Sequence, residues 1–331
     1  MLIMLLDKTF LSMVAFQLGR IHILSMKKVL VIGTGSIAKK YINILNSLNY
    51  SVYVFSETNN KFFKNNLTIF RLSNLNNLKN FEFAILANKT SDHLKILKIL
   101  IKHHMHIYCE KPIFYKKFNY QKIRDQIKKN KIVFHNGYQL RNDTKIRYIV
   151  QKLKKLKIKS FQVSVGHDFH QWRMAGVHKN SYFSNVKKGG GVIFELVHEI
   201  NLINLLFGKI KKIYTIKSNS KNYSCEDVAA SVIETENKIV GTLYQDMFSS
   251  IFFRYIKIVT NKFFFEIDMV NNLIVENNNI KKFKNINKHV HLLKKNILSF
   301  KNRIIKRDYS LNDYDSALFD LGICLKMHNA K

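Results

Sequence analysis

Apolar residues fall in short unbroken runs over the first 140 positions and in alternation over much of the rest. Val29 to Ile32 is wholly apolar, the pattern of a central strand buried on both faces. A glycine turn follows. Lys39 to Leu48 then places Tyr41, Ile44, Leu45 and Leu48 at helical spacing. Ser51 to Phe55, Phe83 to Ala87, His106 to Cys109 and Ile132 to Gly137 read as further strands, with helices expected over Asp92 to His103 and Tyr120 to Lys129. Strands alternating with helices at this spacing predict a doubly wound parallel sheet of the Rossmann type.

The pattern changes after about residue 140. Lys159 to Gly166 alternates like a half-buried strand, and Gly189 to Leu206 contains a helix announced by three glycines. Ile210 to Ile280 gives five or six short strands joined by Asn, Ser and Lys turns, which predicts an open, mostly antiparallel sheet. Helices are expected over Val290 to Phe300 and Ser316 to Met327. The fold class is therefore α/β: a Rossmann domain over 26–140 and an α+β domain over 141–331. Residues 1–25 form an extension. Its longest uncharged run, Thr9 to Gly19, is short of the roughly 20 residues that span a bilayer. Met26 then opens an ordinary Rossmann start. An extension or a misplaced start is favoured over a membrane anchor.

The net charge of +33 raises nucleic acid as a partner. Only nine of the 55 basic residues are Arg, whereas base and phosphate recognition favours Arg forks. Lysines spread along the chain read more simply as a solvated coat, so no specific nucleic-acid partner is expected. Cys109, Cys225 and Cys324 lie far apart with no CxxC pair, which points to reduced thiols in a cytoplasmic protein. The histidines show no metal-ligand spacing, and no metal is expected.

Chemistry gathers in three places. The turn Gly33-Thr34-Gly35-Ser36-Ile37-Ala38 follows an apolar strand and opens a helix. Gly33 makes the tight turn, Gly35 lets backbone approach a pyrophosphate, and Ala38 permits close helix–strand packing. The helix N-terminus supplies free N–H groups to the phosphates. The cofactor is thus a dinucleotide, NAD or NADP. The position that would read the ribose holds Ser56 with Glu57 beside it, and leaves that choice open. Second, Glu110-Lys111-Pro112 ends a strand at the carboxyl edge where ligands bind. A lysine there can hold a substrate oxygen as charge develops on it. Third, in the segment from Gly189-Gly190-Gly191 to Asn201, the residues Glu195, His198 and Asn201 recur at three-residue spacing. They are expected on one helix face, with the histidine as general base.

These pieces occur in the order and spacing of the Gfo/Idh/MocA oxidoreductases, which the chain resembles from Met26 almost to its end. The resemblance includes the segment Ile85 to His93, Cys109-Glu110-Lys111-Pro112, Gly137-Tyr138-Gln139-Leu140-Arg141 and the triple-glycine helix with its histidine. It implies that Ala87, Asn88, His93, Glu110, Lys111 and Pro112 line the cofactor and that Lys111 and His198 are the catalytic pair, with Glu195 tuning the base. It also implies a sugar, cyclitol or nucleotide-sugar substrate, and a homo-oligomer formed through the open sheet. Tyr138, Arg141, Asn201, Trp172, Arg173 and Tyr182 are expected to contact the substrate.

Two departures from the family pattern stand out. Phe194 occupies the place where many members have Asp, with Glu195 one residue nearer the histidine. Asn201 stands where an acid often follows. The shorter spacing resembles a branch associated with bacterial surface-sugar synthesis. The missing second acid keeps open a reading as a catalytically weak dinucleotide-binding regulator of the same fold.

Overall fold

A computed structural model describes residues 26–57, 69–168, 185, 189–219, 224–284 and 289–330. The extension 1–25 and the substrate candidates Trp172, Arg173 and Tyr182 lie outside the described residues.

The first sheet contains β1 (Lys28–Ile32), β2 (Ser51–Phe55), β3 (Phe70–Arg71), β4 (Phe81–Leu86), β5 (His106–Cys109) and β6 (Phe134–Asn136). Their order is β3-β2-β1-β4-β5-β6 and every pairing is parallel, the strand order of a dinucleotide-binding sheet. Leu30, Ile32, Ala84, Leu86 and Ile107 pack into one core; Val29, Val31, Val52, Val54 and Ile85 pack into another on the opposite face. With both faces covered, uninterrupted apolar strands are what the structure requires. The short β3 was not foreseen. The first helix, α1 (Ser36–Asn46), begins three residues earlier than its apolar spacing suggested, because the Lys39 amide already donates to Gly35 O at 3.0 Å. Helices α2 (His93–Lys102) and α3 (Tyr120–Lys129) follow, and then α4 (Thr144–Leu153), which the sequence did not announce. Asp143 caps α4, accepting from the Lys145 amide at 2.8 Å.

The second sheet has β7 (Ile158–Gly166), β8 (Ile210–Ser218), β9 (Val228–Thr235), β10 (Val240–Asp246), β11 (Phe253–Thr260), β12 (Phe264–Asp268), β13 (Leu273–Glu276) and β14 (Asn279–Lys282). The order is β14-β13-β12-β11-β7-β10-β9-β8, antiparallel except where β7 runs beside β10. Seven strands, not five or six, therefore follow Ile210. The last of them, β14, runs through Asn279–Lys282 and pairs through Ile274–Lys281 and Val275–Ile280. One face of this sheet packs on α6 (Val197–Phe207), where Phe161 stacks on Phe207 at 4.1 Å. The other face leaves Tyr214, Ile216, Val232 and Val240 exposed.

The last helices tie the two sheets together. α7 (His289–Ile305) runs five residues past its expected end and returns to the first sheet, where Leu293, Ile297 and Phe300 complete the second core. Burial of each such side chain stabilises by about 1.5–3 kcal/mol. α8 (Asn312–His328) starts four residues before its expected position and packs Tyr314 against Phe134, ring centroids 5.2 Å apart. No helix among the described residues is long and apolar enough to cross a membrane.

Candidate active site

The glycine turn sits where β1 and β4 end side by side. Gly33 has φ +112°, and a Cβ built on it would lie 2.8 Å from Ala87 O, so only glycine fits. Its amide donates to Phe55 O at 2.9 Å, drawing the end of β2 to the same point. Gly35 faces open space, with nothing within 4 Å of a Cβ placed there. It precedes a helix whose first turn carries no acidic residue and no side-chain cap. Its free N–H groups and unobstructed approach fit a pyrophosphate. Thr34 Oγ and Ser56 Oγ are 3.4 Å apart beside this opening, whereas Glu57 turns away to pair with Lys95 at 3.2 Å.

His93 braces the carboxyl edge. Its Nδ1 lies 3.1 Å from Ile113 O and its Nε2 3.3 Å from Asn88 O, which joins the loops after β4 and β5. Both nitrogens are thus engaged with the protein. Asn88 Oδ1 is buried with no partner among the described residues. Glu110 is buried, and burial raises its pKa even though the Tyr41 hydroxyl bonds it and Lys111 lies close. Tyr41 in turn meets the Tyr108 hydroxyl at 2.9 Å, to which Asn296 of α7 donates at 2.8 Å. Asn296 also meets His135 Nε2 at 3.1 Å. A run of buried polar groups therefore fixes Glu110, and with it Lys111, against α7.

The histidine segment is not one helix. α5 (Val192–Glu195) stops and α6 begins after Leu196, whose φ of −103° and ψ of 34° leave the helical region. Glu195 lies on the first piece; His198 and Asn201 lie on the second. The break has a physical cause. Instead of bonding Glu195 O, the Glu199 amide bonds Leu196 O, and two side chains claim the region's carbonyls. Lys111 Nζ donates to Glu195 O at 2.6 Å, and Gln245 Nε2 donates to Leu196 O at 2.8 Å. At the entry Gly191 has φ +112°, and a Cβ there would meet Glu226 Oε1 at 2.4 Å. Nor does α6 present one polar face, because Val197 to Ile203 are buried all round.

His198 is 5% exposed, and neither ring nitrogen has a hydrogen-bond partner among the described residues. Glu195 therefore does not orient the ring through a hydrogen bond. Burial first, then the charges of Lys111 and Arg254, hold the imidazole pKa well below its usual value. The Tyr138 ring stands edge-on at 5.8 Å. Arg141 spans its neighbours, with Nε donating to Asn201 Oδ1 at 2.7 Å, one terminal nitrogen to Asp313 at 3.3 Å and the other to Ser316 at 2.8 Å. Asn201 Nδ2 donates to Asp320 at 2.6 Å. An amide suits position 201: it accepts from the arginine and donates to a buried carboxylate, which a second acid there would repel.

The structure thus brings Lys111 to Glu195 and places His198 beside Tyr138, while Asn201 and Arg141 bond to each other and to α8. Sequence reasoning missed Glu199, Arg254 and Asp320. Glu199 adjoins His198 in the motif and Arg254 is one of few arginines, but their 2.7 Å ion pair joins residues 55 positions apart. No group of three potential ligands could hold a metal among the described residues.

Comparison with known proteins decides the family. Residues 27–138 match the oxidoreductase family model with an NAD-binding Rossmann fold, and 157–259 match the Gfo/Idh/MocA C-terminal domain. The chain belongs to the Gfo/Idh/MocA oxidoreductase family. This member keeps the family's NAD-binding Rossmann domain, and the glycine turn described above fits that cofactor. A search of curated proteins finds no match. Among solved structures the fold is similar to UDP-N-acetylglucosamine 3-dehydrogenase GnnA from Acidithiobacillus ferrooxidans (TM-score 0.78, 15% identity, 92% of this chain and 97% of that one). It is also similar to the WlbA dehydrogenase from Bordetella pertussis, solved with NADH and UDP-GlcNAcA (0.74, 15%, 92% and 95%). A third is scyllo-inositol dehydrogenase from Lactobacillus casei with bound NAD(H) and scyllo-inositol (0.74, 15%, 92% and 97%).

Proposed function

We propose that this family member oxidises or reduces a CH–OH carbon of a sugar-like substrate, a sugar, cyclitol or nucleotide-linked sugar, at Lys111 and His198. The observation that carries the reading is the buried His198 ring with two unpartnered nitrogens, in the same cluster as the Lys111 ammonium. A buried polar ring without a partner costs stability, so it persists where a ligand completes it. Bound at the glycine turn, NAD supplies a hydride acceptor. His198 is neutral and takes the hydroxyl proton on a ring nitrogen. Lys111 has three N–H bonds and spends one on Glu195 O; the others hold the substrate oxygen and stabilise its growing charge. The neighbours support the substrate class, since they include dehydrogenases of a nucleotide sugar and of a cyclitol.

Two further assignments belong to this reading. The chain divides near residue 140 into cofactor and substrate parts, and the exposed apolar face of the second sheet joins a second copy of the chain. Replacing Lys111 with Ala tests the central assignment. NAD binding, followed by calorimetry, stays nearly intact, and reduction of NAD by a panel of sugars is abolished. Full activity in that variant removes the role given to Lys111.

A further inference from the structure

Four of the described arginines use their guanidinium groups differently. Arg124 pairs with Asp315 through two nitrogens, at 2.7 and 2.8 Å. Arg141 spends three nitrogens on Asn201, Asp313 and Ser316, and Arg303 bonds Asp308, Asp313, Phe134 O and Ser310. Arg254, near the start of β11, differs. Its Nε lies 2.7 Å from Oε1 of Glu199, and no hydrogen bond runs from its terminal nitrogens to a described residue. Glu199 is 0% exposed whereas Arg254 keeps 16% of its side chain open. The buried carboxylate therefore holds the guanidinium at Nε, and the guanidinium carbon lies 5.7 Å over the Phe252 ring, which leaves the terminal N–H groups without a hydrogen bond to a described residue.

The surroundings add positive charge, with the buried Glu110 acting on both Lys40 and Lys111. The Lys111 ammonium donates to a backbone carbonyl, and Lys40 Nζ lies 2.8 Å from Nδ1 of His289, the first residue of α7. Arg254 also acts through its charge on His198, so the guanidinium belongs to the same cluster as the unpartnered ring. We propose that Arg254 anchors an oxyanion of the substrate, so that the alcohol accepted at this site is acidic: a hexuronate carboxylate or a nucleoside-diphosphate sugar. The inference rests on the dehydrogenase reading above and narrows its substrate. It also resolves a tension in that site. His198 is held well below its ordinary pKa with Lys111 and Arg254 beside it, where a base is weak. The groups whose charge acts on it are Lys111 after β5, Arg254 from β11, His289 from α7 and Arg141 before α4, with Glu199 paired to Arg254. An added anion tips this balance, lifts the histidine toward its ordinary range and makes it a better base only when substrate is present.

The test uses the full chain loaded with NAD and reads ligand affinity by calorimetry, so it does not depend on turnover. D-glucuronate, UDP-glucose and D-glucose are the probes, and the proteins are wild type, Arg254→Lys and the paired variant Arg254→Gln with Glu199→Gln, which removes both buried charges. Wild type is expected to bind at least one of the two anions more tightly than glucose. The paired variant weakens that anion by roughly 10- to 100-fold, the value of hydrogen bonds to a charged group, and leaves glucose and NAD affinity unchanged. Loss confined to glucuronate identifies a carboxylate, and loss confined to UDP-glucose identifies the diphosphate. Wild type binding neither anion better than glucose, or unchanged affinity in the paired variant, overturns the proposal. If the paired variant fails to bind NAD, Arg254→Lys decides: it keeps the charge without the planar fork, and several-fold weaker anion binding supports the anchor while unchanged affinity refutes it. A wild type that binds an anion at Arg254 yet oxidises no sugar instead contradicts the dehydrogenase reading alone.

Discussion

The first sheet buries both of its faces; the second buries one. In the first, two cores sandwich the strands, and chemistry is left only the carboxyl edge, where Gly33, Ala87, Glu110 and Gly137 emerge from a rigid frame. In the second, alternation sends Phe161, Val163 and Val165 inward, while β8 holds Tyr214 at 72% and Ile216 at 82% exposure on the far side. The contrast separates two uses of a sheet. One fixes groups at its carboxyl end, and the other offers a broad surface. The broken helix lies between them, its two loosened carbonyls bonded by Lys111 from one side and Gln245 from the other.

The comparison can be broken at several points, the largest effect first. His198→Gln removes the proposed proton acceptor and is expected to cut turnover by roughly 10²–10⁴-fold, with NAD affinity unchanged in calorimetry; activity within a few-fold of wild type would remove the base from this site. Gly33→Ala attacks the rigid edge. The new Cβ meets Ala87 O at 2.8 Å in a positive-φ backbone, and a loss of roughly 1–3 kcal/mol in denaturant stability is expected, together with weaker NAD binding. Asn201→Asp sets a second carboxylate against Asp320, 2.6 Å from the present amide nitrogen. A loss of about 1–3 kcal/mol should appear, and Asp320→Asn in the same chain should restore much of it. Ile216→Lys on the open face should change stability by less than about 0.5 kcal/mol but shift the mass measured by light scattering from dimer or larger to monomer. An unchanged oligomer would place the contact elsewhere.

Acidity gives a further probe of the edge. The depressed pKa of His198 keeps it neutral through ordinary pH. Its neutral form is favoured by folding, so the stability it contributes is present above the unfolded value and lost as pH falls below it. The kcat/KM profile of the free enzyme should therefore show no acid limb from this ring near pH 6.5, and removing Arg254 should move any acid limb upward, because a neighbouring cation is gone.

Much of the first sheet was legible because parallel strands buried on both sides are written as short apolar runs, as in Val29 to Ile32. The glycine turn was legible for the same reason: φ +112° at Gly33 admits one residue type. The two-residue β3 left no such run, and β14 was hidden because all four of its residues are exposed. The site was half visible. Glu110-Lys111-Pro112 and the triple glycine mark themselves, but the break at Leu196 depends on Lys111, 84 positions away, reaching Glu195 O. Periodicity carries no trace of such a contact, and it made one continuous helix face of Glu195, His198 and Asn201. Arg254 was lost among 55 basic residues because only its pairing with Glu199 distinguishes it.

The most direct test follows the hydride. The NAD-loaded chain is mixed with sugars and uronates deuterated at their ring carbons, and the dinucleotide is then weighed by mass spectrometry, alongside the Lys111→Ala and His198→Gln proteins. The account predicts that wild type transfers one deuterium from substrate carbon to the dinucleotide and that both variants transfer almost none while still binding NAD. Transfer at the wild-type rate in either variant, or NAD binding without transfer from any substrate of this class, would contradict it.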